Sequence, residues 1–479
     1  MKLSRRRLIL SGFVLGSLGG CFGKKAEAWD LIVIGAGAAG LSAAIAASEE
    51  GLKVLLLEKM AHVGGNTRIS GGFFACVDPV RQNKQGIKDS EAFFLKQIQK
   101  SGGGRADPKL DEVLVHQASQ MLAWLEEHGM KFAPTVSEVY GSHWPRSHKP
   151  LMSNGEGYIR TLLAVAGKLD VTIKTRMAVK GLLKDETGRV NGVTVISDGR
   201  ELIYRSRAGV VVATGGFSAN PKMIRQFAPK YAGLTTNNMP GATGEMLLVA
   251  RDIGAQLIDM DLVLCNPGSP PGRSARARFH MLVNQFIFVN ENGRRFIRED
   301  DRRDCLTAAV LSQPGRYAYT LIDFNGFKNL SPLMQKEAVL AVETGDAWSG
   351  KTIRELANKM KVPMESLEET IAEYNFAVRS KRDPLGKAAD ELTHFINEPP
   401  FWACYSGMAI HSTMGGIRIS TRAEALQSDG VPVPGLWAAG EAAGGVHGVN
   451  RMGGNGISDA LVFGRIAGKE AARRSKTKV

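Results

Sequence analysis

Closely spaced cysteines are absent from this sequence. Its five cysteines (Cys21, Cys76, Cys265, Cys305 and Cys404) lie far apart and form no C-x-x-C or C-x-x-C-H pattern. This excludes a paired-cysteine zinc site and covalent haem attachment, so no metal site is predicted. Basic and aromatic residues do not alternate as they do in proteins that bind single-stranded nucleic acid. We interpret the formal net charge of +14 as a basic surface that favours anionic ligands, without a nucleic-acid partner.

Long hydrophobic runs are also missing. The apolar stretch that follows Arg7 is too short to span a bilayer comfortably. It comes after Ser4-Arg5-Arg6-Arg7-Leu8, which resembles a twin-arginine signal for proteins that fold around a cofactor before export. Residues 1–28 are therefore predicted to be a signal peptide of a periplasmic protein without a transmembrane span.

Two processing sites within residues 1–28 compete. Ala26-Glu27-Ala28 is an A-x-A cleavage site, and Leu18-Gly-Gly-Cys21 resembles a lipobox that would place a lipid anchor on Cys21. An uncleaved basic helix at the membrane surface is a third alternative, and the sequence does not decide among the three.

A glycine motif follows a predicted buried strand, Leu31–Ile34. Gly35-x-Gly37-x-x-Gly40 leads into an alanine-rich helix, and the next strand ends in Glu58. In a Rossmann-type unit such glycines allow a tight turn, close approach of a pyrophosphate and helix–strand contact, while the acid binds ribose hydroxyls. Strand, helix, second strand and acid are all in register, which predicts a dinucleotide site.

Three further glycine-marked segments indicate which dinucleotide binds. They are Gly64–Gly72, Val210–Gly216 and Leu436–Glu441. A second glycine loop is not needed for a nicotinamide, but it suits a flavin that lies against backbone, because glycine has no Cβ. Glu441, at a strand end, is a candidate to bind ribityl or ribose hydroxyls. The segments together predict an extended FAD bound by one discontinuous domain.

These motifs resemble those of the flavoprotein subunits of the fumarate reductase/succinate dehydrogenase superfamily, most closely its soluble flavocytochrome c branch. The matching motifs are Gly35–Gly40, Gly64–Thr67, Ala213–Gly216, Gly415-Gly416 and Gly444–Asn455, and the similarity runs from about Trp29 to the end. The resemblance implies an α/β fold with a discontinuous Rossmann-like FAD-binding domain and an inserted α+β capping domain. The expected ranges are 1–28 for the signal peptide, 29–256 and 412–479 for the FAD-binding domain, and 257–411 for the capping domain.

The resemblance also implies the residues that bind FAD. They are Gly35, Gly37, Ala38, Ala39, Gly40, Glu58, Lys59, Gly65, Asn66, Thr67, Ser70, Gly71, Gly72, Ala178, Val179, Ala213, Thr214, Gly215, Gly216, Glu441, Asn455 and Ile457. Relatives with covalent flavin carry a histidine where this chain has Asn66-Thr67. Noncovalent FAD is therefore expected.

Three catalytic residues follow from the same resemblance. Reduction of an activated C=C bond needs a hydride from flavin N5 on one carbon, a proton on the other, and positive charge on the conjugated carboxylate. Arg303 takes the place of the family's proton donor, and His411 with Arg451 takes the place of its carboxylate clamp. An arginine gives up a proton only with the help of a neighbouring base network.

The second carboxylate clamp of fumarate reductases is missing. Counted back from Arg303 without gaps, the family's clamp histidine falls on Asn266, its Thr–Glu pair on Arg278 and Phe279, and its relay arginine on Leu282. Asn266, Arg278 and Phe279 are therefore expected to contact a substrate with one carboxylate and a different far end. Phe279 favours an apolar or aromatic far end, whereas Arg278 and His280 leave room for a polar or anionic one. Asp301, Asp304 and His280 are candidates for the proton supply to Arg303.

The expected function is an exported FAD-dependent reductase of an α,β-unsaturated carboxylate other than fumarate, used as an alternative respiratory electron acceptor. Acrylate-, methacrylate-, urocanate- and cinnamate-like enoates are the candidate substrates. Since no haem motif or second flavin domain is found, a separate electron donor, a cytochrome c, is expected. A fumarate reductase proper, a ketosteroid-type flavin dehydrogenase and a non-catalytic FAD electron-transfer protein remain alternatives. His148 is predicted to be structural.

Overall fold

The structure is a computed structural model that describes residues 28–476 apart from 271 and 274–276. The predicted twin-arginine motif, the lipobox with Cys21 and most of the A-x-A site lie outside the described residues. Among the helices that are described, none has both the length and the apolar character needed to cross a bilayer.

The chain alternates strands and helices throughout. The strands are β1 (Trp29–Ile34), β2 (Val54–Leu57), β3 (Phe74–Ala75), β4 (Phe132–Ser137), β5 (Ser147–Pro150), β6 (Val171–Lys174), β7 (Ala178–Lys184), β8 (Val190–Ser197), β9 (Arg200–Val212), β10 (Thr235–Thr236), β11 (Leu257–Ile258), β12 (Val263–Gly268), β13 (Ile287–Val289), β14 (Ala318–Ile322), β15 (Ala347–Gly350), β16 (Phe401–Thr413), β17 (Gly416–Arg418), β18 (Glu424–Leu426), β19 (Pro432–Ala438) and β20 (Ala443–Gly444). The helices are α1 (Ala38–Glu49), α2 (Gly65–Ile69), α3 (Pro79–Lys84), α4 (Glu91–Gly102), α5 (Pro108–Glu127), α6 (Glu156–Ala166), α7 (Pro221–Phe227), α8 (Glu245–Asp252), α9 (Arg303–Leu311), α10 (Phe324–Lys328), α11 (Pro332–Glu343), α12 (Ile353–Met360), α13 (Met364–Ser380) and α14 (Asn455–Lys476).

The largest sheet brings the predicted cofactor segments together. Its strands run in the order β18-β19-β9-β1-β2-β6, with β7 and β8 attached through β9. The parallel register aligns Ile34 with Leu57 and with Val212, and Val212 with Ala438. Since parallel strands end at the same edge, the loops after β1, β2, β9 and β19 converge there. The predicted α/β fold and the discontinuous FAD-binding domain are confirmed.

Two helices cover one face of this sheet in close contact. Helix α1 is buried along nearly its whole length, as its alanine-rich sequence requires. A Cβ at Gly464 or Gly468 of α14 would overlap the carbonyl oxygens of Ala39 and Ala43 in α1. Glycine is therefore needed in α14 for the two helices to approach this closely.

A second sheet forms the core of the cap. Strand β16 lies at its centre and pairs with β10, β12, β14 and β15, while β13 pairs with β14. Helix α9 packs on β12 and β16, and α11 and α12 pack on β15. The expected capping range, 257–411, contains most of these strands, but β10 precedes it and β16 continues past it to Thr413.

A buried ion network lies beneath the segment that leads to α9. Arg295 donates to Glu299 at 2.9 Å and to Asp383 at 2.7 Å, and the Lys387 ammonium lies 3.3 Å from Glu299. The Glu299, Asp383 and Lys387 side chains have no solvent exposure. Because each buried charge has an opposite partner, the network anchors the backbone just before Arg303.

Candidate active site

A cavity of about 840 Å³ lies at the edge of the large sheet where the four glycine segments meet. Its wall combines loops of the FAD-binding domain with residues of the cap, among them Asn266, Arg278 and Arg303. A cavity at the carboxyl end of parallel strands is the usual place for a ligand in this type of fold.

The first glycine loop supplies an open backbone surface. Gly35 has a φ of +99°, and a Cβ there would overlap the carbonyl group of Ala213. A Cβ at Gly40 would overlap Gly35, whereas one at Gly37 would meet nothing nearer than the Thr67 hydroxyl at 3.7 Å. Gly35 and Gly40 therefore permit packing, and Gly37 keeps the cavity clear in front of the N-terminus of α1, where a phosphate binds favourably.

Glu58 is held in position at the end of β2. Its carboxylate accepts hydrogen bonds from the backbone N–H groups of Ala36 at 2.9 Å and Met60 at 2.8 Å. It lines the cavity although it is only 7% exposed. A fixed carboxylate beside an open glycine loop suits the two hydroxyls of a ribose.

Two further polar groups of the wall face the same space. The Thr214 hydroxyl is buried and has no hydrogen-bond partner among the described residues. Glu441 accepts a hydrogen bond from the Thr413 N–H at 2.9 Å, and burial raises the pKa of its carboxyl although Thr413 and Arg451 oppose the shift. The orphaned hydroxyl, Glu58 and the glycine surface together fit FAD, whose phosphates and hydroxyls would satisfy them.

Most of the predicted cofactor residues line this cavity. They are Gly35, Gly37, Ala38, Ala39, Glu58, Lys59, Gly65, Asn66, Thr67, Ser70, Gly71, Gly72, Ala178, Val179, Ala213, Thr214, Gly215, Glu441 and Ile457. Gly40, Gly216 and Asn455 lie behind the wall instead, and a Cβ at Gly216 would overlap the Thr413 hydroxyl. Asn66 accepts a hydrogen bond from the Met239 N–H at 2.8 Å, so an amide stands where a covalent attachment would need a histidine.

Arg303, the first residue of α9, is almost fully buried at 3% exposure. Its guanidinium donates to the Asn266 side-chain oxygen at 3.2 Å and to the Arg451 carbonyl oxygen, and it lies against Gly141. Burial and the nearby charge of Arg451 lower the pKa of Arg303 to about 9. This arginine therefore releases a proton more readily than an exposed one.

Arg451 and His411 reach the cavity from two other segments. The Arg451 guanidinium makes no hydrogen bond within the described part of the chain, and burial lowers its pKa against the opposing charges of Glu441 and Asp459. His411 lies on β16 with its Nδ1 3.1 Å from the Asn237 side-chain oxygen. Arg303, His411 and Arg451 thus line one cavity, although Arg303 and Arg451 are 148 residues apart in the sequence.

The three predicted specificity residues differ in their placement. Asn266 and Arg278 line the cavity, but Arg278 forms an ion pair with Glu337, with the two side chains 2.6 Å apart. Phe279 is 1% exposed, packs in the core and does not line the cavity. The expectation that Phe279 contacts a substrate is therefore not supported by its position.

The three candidates for proton supply to Arg303 also lie at different places in the structure. Asp304 accepts two hydrogen bonds from Arg302, at 3.0 and 2.7 Å, and Asp301 accepts from the Arg302 backbone N–H at 2.7 Å. His280 lines the cavity. Of the three candidates, His280 is thus the one that the structure places at the site.

His148 has the structural role that was predicted for it. It is fully buried, with Nε2 3.0 Å from the Asp78 carboxylate and Nδ1 3.0 Å from the Phe74 carbonyl oxygen. It does not line the cavity.

Several cavity residues carry no sequence signal that identifies them. Tyr140, Asn237 and Met239 belong to no glycine motif and lie far from Arg303 in sequence. His447 and Asp459 also line the cavity, with His447 Nε2 3.2 Å from the Asp459 carboxylate. Unlike the other three, His447 lies inside the Gly444–Asn455 motif, which was a usable signal.

The fold and the site define an FAD-dependent oxidoreductase, whose cavity lies between a Rossmann-like sheet and a cap. The chain belongs to the FAD binding domain family, whose sequence profile matches residues 30–457. Within it, the chain falls among flavoproteins of the fumarate reductase type.

Two relatives and one solved structure support this assignment. The chain is 32% identical to a urocanate reductase of Eggerthella lenta, over 92% of this chain and 74% of the relative. It is 34% identical to an NADH:fumarate oxidoreductase of Klebsiella pneumoniae, over 94% of this chain, but it spans only 48% of that relative. The open conformation of a flavocytochrome c3 fumarate reductase superimposes with a TM-score of 0.77 at 32% identity, covering 94% of this chain and 79% of the other.

Proposed function

We propose that this protein reduces the C=C bond of an α,β-unsaturated carboxylate that carries one carboxylate group, and that fumarate is not its preferred substrate. The observation that carries the proposal is Arg303, which is buried in the cavity wall with its pKa lowered to about 9, beside an Arg451 guanidinium that makes no hydrogen bond to the described residues. FAD, when bound, supplies the hydride, and the residues of the chain supply the proton and the positive charge.

Arg451 and His411 would hold the substrate carboxylate. A guanidinium presents a planar fork of donors that matches the two oxygens of a carboxylate. Positive charge at the carboxylate draws electron density from the conjugated double bond and stabilises the developing enolate. These residues therefore bind the substrate and activate it for reduction.

Arg303 would donate the proton to the carbon that does not receive the hydride. Loss of a proton leaves a neutral guanidine, which burial and the adjacent Arg451 charge make less unfavourable than in water. A proton and a hydride together convert the enoate into a saturated carboxylate. His280, at the same cavity, is the proposed source of the replacement proton.

The far end of the site argues against a second carboxylate. Arg278 is the cation placed there, and Glu337 balances its charge. Asn266 is engaged by Arg303 through its side-chain oxygen. A dicarboxylate would bring its second negative charge to an arginine that Glu337 already neutralises, which weakens the attraction between them.

Turnover with an artificial low-potential donor under anaerobic conditions tests this proposal. The panel contains acrylate, methacrylate, urocanate, cinnamate, fumarate and a 3-ketosteroid. We expect the highest kcat/KM with a monocarboxylate. Fumarate as the best substrate would identify a fumarate reductase proper, the ketosteroid would identify a dehydrogenase-type enzyme, and no turnover would favour an electron-transfer protein.

We further propose that the protein is exported through the twin-arginine pathway and receives electrons from a cytochrome c as an alternative respiratory reductase. Ser4–Leu8 supports export, and the structural similarity to a flavocytochrome supports the donor. Arg5→Lys combined with Arg6→Lys should keep the protein in the cytoplasm, as cell fractionation would show. Globomycin-sensitive processing would identify a lipid anchor on Cys21, and insensitive processing would identify cleavage after Ala28.

A further inference from the structure

His447 and Asp459 form a histidine–carboxylate pair in the wall of the cavity. His447 Nε2 lies 3.2 Å from the Asp459 carboxylate, and both residues line the cavity. Because an ionised carboxylate only accepts hydrogen bonds, it keeps the hydrogen of the neutral imidazole on Nε2. Nδ1 has no hydrogen-bond partner among the described residues and retains accessible surface, so it is open to accept a proton.

Hydrogen bonds to α4 fix the loop that carries this histidine. The Val449 N–H donates to the Gly102 carbonyl oxygen at 3.1 Å, and the Ser101 hydroxyl donates to the Asn450 carbonyl oxygen at 2.8 Å. The carboxylate partner, Asp459, is a buried residue of α14, which packs closely on α1. Both members of the pair are therefore held by well-anchored elements, as an oriented acid–base group requires.

The pair lies close to the residue proposed to bind the substrate carboxylate. Burial lowers the pKa of Arg451, and the charges of Glu441 and Asp459 oppose that shift, which places the Asp459 carboxylate near the Arg451 guanidinium. His447 also precedes Arg451 by only four residues in the same loop. The pair is therefore near the part of the cavity where hydride transfer is proposed.

The proposed reaction requires one proton that no residue has yet been assigned to carry. A one-electron donor brings electrons without hydrogen, so reduction of FAD takes up a proton, which later leaves flavin N5 as part of the hydride. Arg303 supplies a different proton, the one that reaches the substrate carbon. Of the other histidines that line the cavity, His280 and His411 already have proposed roles and His62 is exposed.

We propose that His447 carries the proton that accompanies reduction of FAD by its electron donor, and that Asp459 is the positioning residue that orients the imidazole. This inference rests on the proposed function, which sets the direction of electron flow. In the step, two equivalents of a one-electron donor are oxidised and the isoalloxazine ring gains their two electrons. The Nδ1–H bond of protonated His447 breaks, its proton forms the N–H bond at flavin N5, and the imidazole regains a proton from solvent.

The test follows reduction of the cofactor alone, in the absence of any enoate. FAD-loaded protein is mixed anaerobically with reduced methyl viologen, a one-electron donor without transferable hydrogen, and bleaching of the flavin absorbance gives the rate. For His447→Gln we expect the rate to fall by roughly 10²-fold, a usual contribution of a positioned acid–base group. His447→Ala should lose as much and recover when imidazole is added. Asp459→Asn should lose less, because the imidazole is still present but no carboxylate orients it.

His116→Gln is the matched control. His116 also pairs with a carboxylate, that of Glu91, but it is exposed on α5 and does not line the cavity. This variant should bleach at the wild-type rate. A wild-type rate in His447→Gln, or a loss in His447→Ala that imidazole does not restore, would overturn the inference. If the wild-type protein accepts electrons but reduces no enoate, the proposed function fails, and the bleaching rates still decide the role of His447.

Discussion

The Arg303 guanidinium donates a hydrogen bond to the backbone carbonyl of Arg451 and thereby joins the cap to the loop that carries the Arg451 side chain. The charge of Arg451, together with burial, disfavours the protonation of Arg303 and lowers its pKa. The residues proposed for proton donation and for carboxylate binding are thus electrostatically linked.

This coupling predicts a pH dependence of turnover. The donor must be protonated, and burial beside Arg451 lowers the pKa of Arg303 to about 9 in the protein without substrate, so kcat/KM should fall as pH rises through that value. Arg303→Lys should lower kcat by roughly 10²–10⁴-fold, the usual contribution of a positioned proton donor. The measurement is a pH profile of kcat/KM, from initial rates at enoate concentrations well below KM.

Arg302→Lys provides the control for that experiment, because Arg302 pairs with Asp304 outside the cavity lining. It should retain the wild-type profile. A wild-type rate that stays flat up to pH 11 would contradict the role of Arg303.

Arg451→Lys should weaken substrate binding more than it slows the chemical step. Lysine retains the charge but loses the planar fork, and the Arg451 guanidinium has no protein partner to compensate within the described residues. We expect KM for a monocarboxylate to rise by about tenfold to a hundredfold, equivalent to about 1.4–2.8 kcal/mol. Steady-state kinetics with FAD content measured by absorbance would check this, and an unchanged KM would refute it.

Asp111 predicts a pH-dependent stability. This residue of α5 is fully buried, neither carboxylate oxygen has a partner in the described structure, and burial raises its pKa to about 8. Since the unfolded carboxyl has its ordinary pKa near 4, the folded state binds the extra proton between about pH 4 and 8. The stability contributed by that proton is present at low pH and is lost as pH rises through 8.

Asp111→Asn should therefore be more stable than the wild-type protein at pH 8.5, by about 1–3 kcal/mol, and this advantage should shrink toward pH 5. Thermal unfolding at the two pH values measures it. Glu112→Gln changes the exposed neighbour and should shift stability by less than about 0.5 kcal/mol at either pH. An Asp111→Asn advantage that is larger at pH 5 would show that the sign is wrong.

Glu299→Gln should destabilise the cap. The substitution leaves the buried Arg295 and Lys387 charges without their shared carboxylate, and breaking such a pair costs about 3–5 kcal/mol. Glu355→Gln breaks an exposed pair with Lys359 and should cost no more than about 0.5 kcal/mol. Chemical denaturation of both variants gives the comparison, and equal losses would argue against the buried network.

Most of the residues predicted to bind FAD line one cavity, because glycine, strand and acid recur at fixed spacings in those segments. The roles of Gly37 and Glu58 depend on the backbone conformation of a loop and on the order of the strands. Both features follow from the local sequence pattern. The predicted strand Leu31–Ile34 and the alanine-rich helix after it are present as β1 and α1. Their apolar sequence between glycines was sufficient to predict them.

The cap side of the site was less predictable, since its contacts depend on distant partners. Counting from Arg303 placed Arg278 and Phe279 together in the site, but the fold turns Phe279 into the core and pairs Arg278 with Glu337, 59 residues further on. Neither outcome follows from a motif. Tyr140 lines the cavity far from any motif, next to Gly141, whose carbonyl oxygen accepts a hydrogen bond from the distant Gly453 N–H.

Strand β16 connects the cap sheet to the wall of the cavity. One end of it forms the middle of the cap sheet, and the other carries His411 and then Thr413, whose N–H holds Glu441 at the cofactor wall. Strand β16 is thus one continuous extended segment that runs from the cap sheet to the cofactor wall. A rotation of the cap relative to the cofactor wall would therefore have to bend β16 or move His411 away from Arg451.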